Sequence, residues 1–133
     1  MAANSPYRTS SDLVFQVLSN LNVVSVGESV DVEDYQQVSS QLDSIFRKLA
    51  GLEIVYVSDP NNIPGVWFFD LADIIAGEMA SQFGIIGDEY ATFKNKGLGG
   101  AGGIDIGAGD AAKSLKIIMR GRPTYEPLRF VNY

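Results

Sequence analysis

Histidine and cysteine are both absent from the 133 residues. Without cysteine there is no disulfide framework and no thiolate metal site. Without histidine the usual zinc ligand, the usual general base near neutral pH and any Ser-His-Asp triad are missing. Long apolar runs are missing too. Asp70, Asp73 and Glu78 interrupt the best candidate well short of the ~20 residues that a membrane span needs. The N-terminal MAANSPYRTSSD has no apolar signal core, so a soluble chain without a secretory leader is expected.

Positive charge is scarce over most of the chain. Residues 1–110 hold five Lys/Arg against fifteen Asp/Glu, whereas residues 111–133 hold five against one. An acidic body with a basic end results, with a net charge of −6. Such a body repels DNA and RNA, whose affinity for proteins comes largely from neutralised phosphates. The basic end suits an acidic protein surface or nucleic acid, or is a helix end with solvated arginines. The rest is ordinary: 46% hydrophobic and 20% charged residues, enough for the core of one domain.

Helical spacing dominates the pattern. In TSSDLVFQVLSNLN (9–22), Leu13, Val14, Val17, Leu18 and Leu21 share a face, with Thr9, Ser10 and Asp12 supplying cap chemistry. Residues 31–50 read as one long helix with a stripe from Val32 to Leu49, capped by Asp31 and closed by a left-handed Gly51. LEIVYVS (52–58) reads as an edge strand or an extended connector, and DPNNIPG as a turn. Residues 65–83 are apolar nearly all round, the mark of a central helix stopped by Gly84. A shorter helix follows from about Asp88 to Lys96, with Tyr90 and Phe93 inward, and a last one over 110–121 that Asp110 can cap. The fold class expected is mainly α: a small bundle of four to five helices spanning 1–121, with a flexible glycine-rich loop at 97–109 and an extended tail at 122–133.

Three motifs invite chemistry. In KGLGGAGGIDIGAGD (96–110), Gly97, Gly99 and Gly102 match G-x-G-x-x-G. A dinucleotide turn needs a strand before and a helix immediately after, and neither is expected here. A slack connector is the expectation instead. The acids Asp70, Asp73 and Glu78, and Asp31, Glu33 and Asp34, fall at helical spacings. Two carboxylates hydrolyse glycosides only when held about 5–10 Å apart across a cleft, and these read as caps and solvated faces. Only oxygen ligands remain for a metal, without the glycine and spacing of an EF-hand. No catalytic residue, metal site or cofactor is expected, and the chain does not read as an enzyme.

The tail RGRPTYEPLRFVNY carries the strongest interaction signal. Pro123 and Pro127 forbid a continuing helix. Arg120, Arg122, Arg129, Tyr125, Phe130 and Tyr133 are the residue types enriched at energetic centres of interfaces. Leu128 alternates with Phe130 as groove binding or strand addition requires. The tail either docks on a partner or packs on its own domain.

The order TSSDLVFQVLSNLNV, then DVEDYQQVSSQLDSIFRKLA, a break at GLEI, an apolar third helix and a Pro/Arg/aromatic tail resembles the head-to-tail adaptors of tailed bacteriophages, in particular the tail accessory factors of short-tailed phages. The likeness is clearest over residues 9–54, is carried by pattern over 65–93 and returns in the tail. The glycine-rich insertion Gly97–Gly109 departs from the family. The resemblance implies a structural virion protein at the neck, assembled in the host cytoplasm. It implies a ring, typically of twelve copies, under the portal, which extends the DNA channel and offers a platform to the tail or nozzle protein. DNA passes without specific binding. The portal grip then falls on Arg120, Arg122, Pro123, Tyr125, Pro127, Leu128, Arg129, Phe130 and Tyr133. The alternative is a small regulatory or nucleic-acid-binding domain that uses the basic tail, although no basic recognition helix is apparent.

Overall fold

The computed structural model of the chain describes residues 7–24 and 29–121. Two residues, Tyr7–Arg8 (β1), begin it. The helices are α1 (Ser10–Asn20), α2 (Val32–Ser39), α3 (Leu42–Gly51), α4 (Gly65–Met79), α5 (Gly87–Lys96) and α6 (Asp110–Gly121), with β2 (Ile63–Pro64) before α4 and a 3₁₀ turn (Ala80–Phe83) after it. The mainly helical class expected from the sequence is what is observed.

Local chemistry starts the helices where the residues indicate. Thr9 and Asp12 close a reciprocal capping box on α1: each side chain accepts from the other's backbone N–H at 3.2 Å. Asp31 caps α2 by accepting from the Glu33 N–H. Gly84, with φ +84°, ends the 3₁₀ turn as a left-handed stop.

The expected single helix over 31–50 is instead two. At the junction the Gln41 N–H bonds the Val38 carbonyl, a tighter turn than an α-helix makes, and the Ser40 hydroxyl donates to the Gln37 carbonyl. Serine competes for backbone groups in this way, which weakens a helix interior. The C-terminal stop of α3 also differs from expectation. Gly51 is still helical, and the left-handed residue is Glu53, at φ +59°. The Ile54 and Glu53 N–H groups return to the Leu49 and Ala50 carbonyls, as in a Schellman closure.

Residues 52–58 form a connector that buries Ile54 and Val55, and the only sheet among the described residues pairs β1 with β2, antiparallel, Tyr7 opposite Pro64 and Arg8 opposite Ile63. Further along the connector, Asn61 accepts from both the backbone and the hydroxyl of Ser10, which ties this loop to the start of α1. The Arg8 guanidinium lies 4.7 Å from the centre of the Phe68 ring, a cation–π contact.

Helix α4 is central, as its all-round apolarity predicts. It packs against α1, α3, α5 and α6. Phe68, Leu71, Ala72, Ile74, Ile75, Ala76 and Met79 are buried against Leu13, Leu18, Leu49, Leu98 and Leu115 of the surrounding elements. Tyr90 and Phe93 of α5 are half-buried against this core.

The glycine segment is not slack. Leu98 is fully buried, and its carbonyl accepts from both Gly107 and Gly109. The Gly97 carbonyl accepts from Ala112 in the first turn of α6. The two ends of the loop therefore meet, as in a compact Ω-loop. Gly97 is glycine because of space: a Cβ there would stand 2.5 Å from the Asp73 carbonyl oxygen and 2.7 Å from the Ile74 Cα. Helix α5 thereby runs hard against α4 and hands the chain to α6. Asp110 is the first residue of α6, not its cap.

Candidate functional site

Helix α6 fixes where the tail departs. Ala111, Ala112 and Leu115 are buried, and the Ser114 hydroxyl donates to Asp70 Oδ2 of α4 at 2.8 Å. The Lys116 ammonium donates to the Gly107 carbonyl at 2.9 Å, holding the loop to the helix. Arg120 lies in the last turn of α6, exposed, where a cation complements the helix dipole. The other residues expected to grip a partner (Arg122, Pro123, Tyr125, Pro127, Leu128, Arg129, Phe130 and Tyr133) lie outside the described residues.

Beside the end of α6 is an open groove of about 230 Å³, lined by Ala50, Glu53, Ile54, Val55, Tyr56 and Met119. The left-handed turn at Glu53 bends the connector across the end of α3 and so forms one wall. Ile54 and Val55 are buried, whereas Tyr56 is 71% exposed. Sequence reasoning missed this groove, because its two walls are some sixty residues apart in the chain. The alternation in LEIVYVS was its one local trace.

Four of the acids that invited a catalytic reading, Asp31, Asp70, Asp73 and Glu78, hold structure. Asp70 accepts from Ser114, and Asp73 accepts from Asn20 of α1 at 3.3 Å. Asn20 is itself held by Gln16. Glu78 lies between two lysines, 2.7 Å from Lys48 and 2.6 Å from Lys94. Asp31 is a cap, Glu33 is exposed and Asp34 half-buried on α2. No cluster of three or more potential metal ligands occurs among the described residues. No described helix is long and apolar enough to cross a membrane.

Burial raises Asp73 above the ordinary aspartate value, with Lys96 pulling it down and Asp70 pushing it up. The folded protein therefore holds this proton more tightly than the unfolded chain. Stability falls as pH rises through the folded pKa, and the loss is complete above it. Asp73→Asn keeps an acceptor for Asn20 and is expected to flatten that part of the stability–pH curve. Urea midpoints across the acid range, compared between the two proteins, check this.

The G-x-G-x-x-G spacing has a structural explanation. Gly97 follows helix α5, and α6 begins only at Asp110. Gly97 faces α4, and Gly99 faces the Asp105 carbonyl and the Gly109 nitrogen, so the space that a pyrophosphate needs is filled by the chain itself. Above the loop an open groove of about 530 Å³ is lined by Thr92, Asn95, Lys96, Ile104, Ala108 and Lys113, among others. Asn95 Oδ1 is buried with no hydrogen-bond partner among the described residues.

The rest of the surface carries apolar side chains at intervals. Val66 and Phe69 are exposed on α4, Phe15 on α1 and Ile117 on α6, together with Tyr7 in β1 and Ile86 just before α5. Phe15 packs against Tyr35 with the rings tilted at 59° and their centres 5.6 Å apart. No protein-family model, curated protein or solved structure matches this chain.

Proposed function

We propose that this chain is a head-to-tail adaptor of a short-tailed bacteriophage, a structural virion protein that assembles as a ring beneath the portal. In this reading the helical body extends the DNA channel and offers a platform to a tail or nozzle protein, and the C-terminal residues grip the portal. The observation that supports it best is the division of the chain. An acidic, tightly packed helical body closes on α6. From its exposed last turn the chain continues into RPTYEPLRFVNY, rich in arginine, proline and aromatics. An acidic body does not hold passing duplex. The exposed Val66, Phe69 and Phe15 are the kind of side chains that contacts between neighbouring subunits cover.

Native mass spectrometry of the full chain, alone and with the cognate portal ring, tests the reading. A defined multimer on the portal is expected, and the double variant Arg122→Glu/Arg129→Glu is expected to lose it. Full-length protein that stays monomeric and unbound beside the portal overturns the adaptor role. Salt-dependent DNA binding, lost when Arg120, Arg122 and Arg129 become alanine, favours the nucleic-acid-binding alternative.

A further inference from the structure

We infer that one copy of this chain docks the exposed side of its α6 on the α2 face of a second copy, head to tail. Ile117, between Lys113 and Arg120, meets Val32 and Phe15 beside Asp31 and Glu33. This contact deepens the adaptor reading and rests on it in one respect, that copies assemble.

The first face lies on α6. Lys113, Ile117 and Arg120 follow one another at helical spacing along one side of the helix, and all three are exposed, Ile117 by 63%. The other side of the helix is buried through Ala111, Ala112 and Leu115. Two further cations of this region are engaged already, Lys94 by Glu78 and Lys116 by the Gly107 carbonyl. Lys113 and Arg120 form no ion pair among the described residues.

The second face lies on α2. Val32 is 66% exposed, and its neighbours Asp31 and Glu33 are exposed beside it. One turn on, Tyr35 packs against the exposed Phe15 of α1 and donates to the Ser11 hydroxyl at 3.2 Å. An apolar strip of Val32, Tyr35 and Phe15 results, with carboxylates at its α2 end. Asp31 and Glu33 form no ion pair among the described residues either.

Charge selects the occupant. Residues 9–62 hold eight acids and two bases, whereas residues 94–121 hold five bases and two acids, so the chain carries both halves of a complementary pair. Helix α2 packs on α1, and α6 on α4 and α5. Val32 and Ile117 both stay exposed, so neither face covers the other within one copy. A contact between like faces sets cations against cations or acids against acids, which is unfavourable. Joining the α6 face to a second copy's α2 face pairs opposite charges around apolar centres. A contact between two different surfaces closes into a ring where its rotation allows. Nucleic acid is a poor occupant of the α6 stripe, because two cations close to Asp110 in an acidic chain neutralise little phosphate.

The absence of native cysteine makes single-cysteine variants clean. Full-length Val32→Cys and Ile117→Cys proteins are mixed at millimolar concentration in low salt and treated with a short bis-maleimide. Both positions are exposed, so neither variant opens the core. The 32–117 crosslink is expected to exceed the 32–32 and 117–117 crosslinks severalfold, and to decline at high salt as the charges are screened. Glu33→Lys in the first protein, and Lys113→Glu/Arg120→Glu in the second, are each expected to lower it severalfold. A statistical mixture of the three crosslinks overturns the inference, as does an excess of either like pair. A 32–117 yield that ignores the charge reversals overturns it too. The two readings fail separately. Protein that gives the 32–117 crosslink but does not bind the portal keeps the contact and loses the adaptor role. A ring on the portal without that crosslink keeps the role and loses the contact.

Discussion

Gly109→Ala is expected to destabilise the protein by about 3 kcal/mol or more, the upper end of what overpacking a well-filled site costs. A Cβ at this position would stand 2.4 Å from the Gly97 carbonyl oxygen, 2.5 Å from the Gly99 nitrogen and 2.6 Å from the Leu98 carbonyl carbon. All three neighbours are backbone, so no side chain can swing aside. Relief requires the two ends of the loop to separate. That breaks the bond from Gly109 to the Leu98 carbonyl and the one from Ala112 to the Gly97 carbonyl, and α6 loses its seat on α4. Against a total stability of roughly 5–15 kcal/mol for a domain, such a loss moves the urea midpoint far. Gly103→Ala is the control. Its Cβ would meet open space, and only its φ of +84° resists substitution, at roughly 1–2 kcal/mol. Equal effects of the two substitutions in urea titration would mean that the loop ends are not packed as described.

The second large effect is expected from Glu78→Ala, about 1–3 kcal/mol, the cost of leaving a part-buried charge without its hydrogen-bonded partner. The carboxylate bridges Lys48 of α3 and Lys94 of α5 across α4. The Lys94 side chain is only 12% exposed, so its ammonium is left partly screened from water and without this counter-charge. Lys48→Ala removes a partner that is 41% exposed and is expected to change stability by about 1 kcal/mol or less. Acid titration distinguishes the bridge further. Burial alone pushes Glu78 up and is the largest single influence. The hydrogen bonds and charges of Lys48 and Lys94 together overcome it and hold the carboxyl below the ordinary glutamate value. The bridge therefore stabilises fully above that ordinary value, and its contribution is lost as pH falls through the lower, folded one. The stability difference between the parent and Glu78→Gln should shrink along that descent. A difference that stays constant down to low pH would remove the bridge from the account.

These two sites differ in how far the sequence announces them. Glu78 and Lys94 carry no mutual signal, because sixteen residues and a 3₁₀ turn separate them, and helical spacing cannot relate residues on different helices. Gly97 and Gly109 are visible as glycines, yet a glycine for flexibility and a glycine for close approach look alike until the opposing backbone is known. The slack connector expected at 97–109 is for that reason a packed loop. The break at Ser39-Ser40 is a similar case. An unbroken apolar stripe from Val32 to Leu49 outweighs two serines when periodicity alone is read, and the turn is decided by which carbonyl the Ser40 hydroxyl and the Gln41 N–H reach.

What the sequence determined by itself is what local chemistry controls. Thr9 with Asp12, and Asp31, start their helices because a short polar side chain can reach an orphan N–H only a few residues on. The apolarity of residues 65–83 makes α4 central because a helix that is apolar over most of its surface needs neighbours on several sides; at its first turns Val66 and Phe69 still face outward. The acidic body and the basic, proline-bounded end are set by composition. Tertiary structure decided what depends on parts far apart in the chain: Glu78 between two lysines, Asp70 and Asp73 as acceptors of side-chain hydrogen bonds, the loop ends locked at Gly97 and Gly109, and the groove that Tyr56 and Met119 share. Each of these is a distance between segments, and such a distance exists only once α4 has gathered the helices around it.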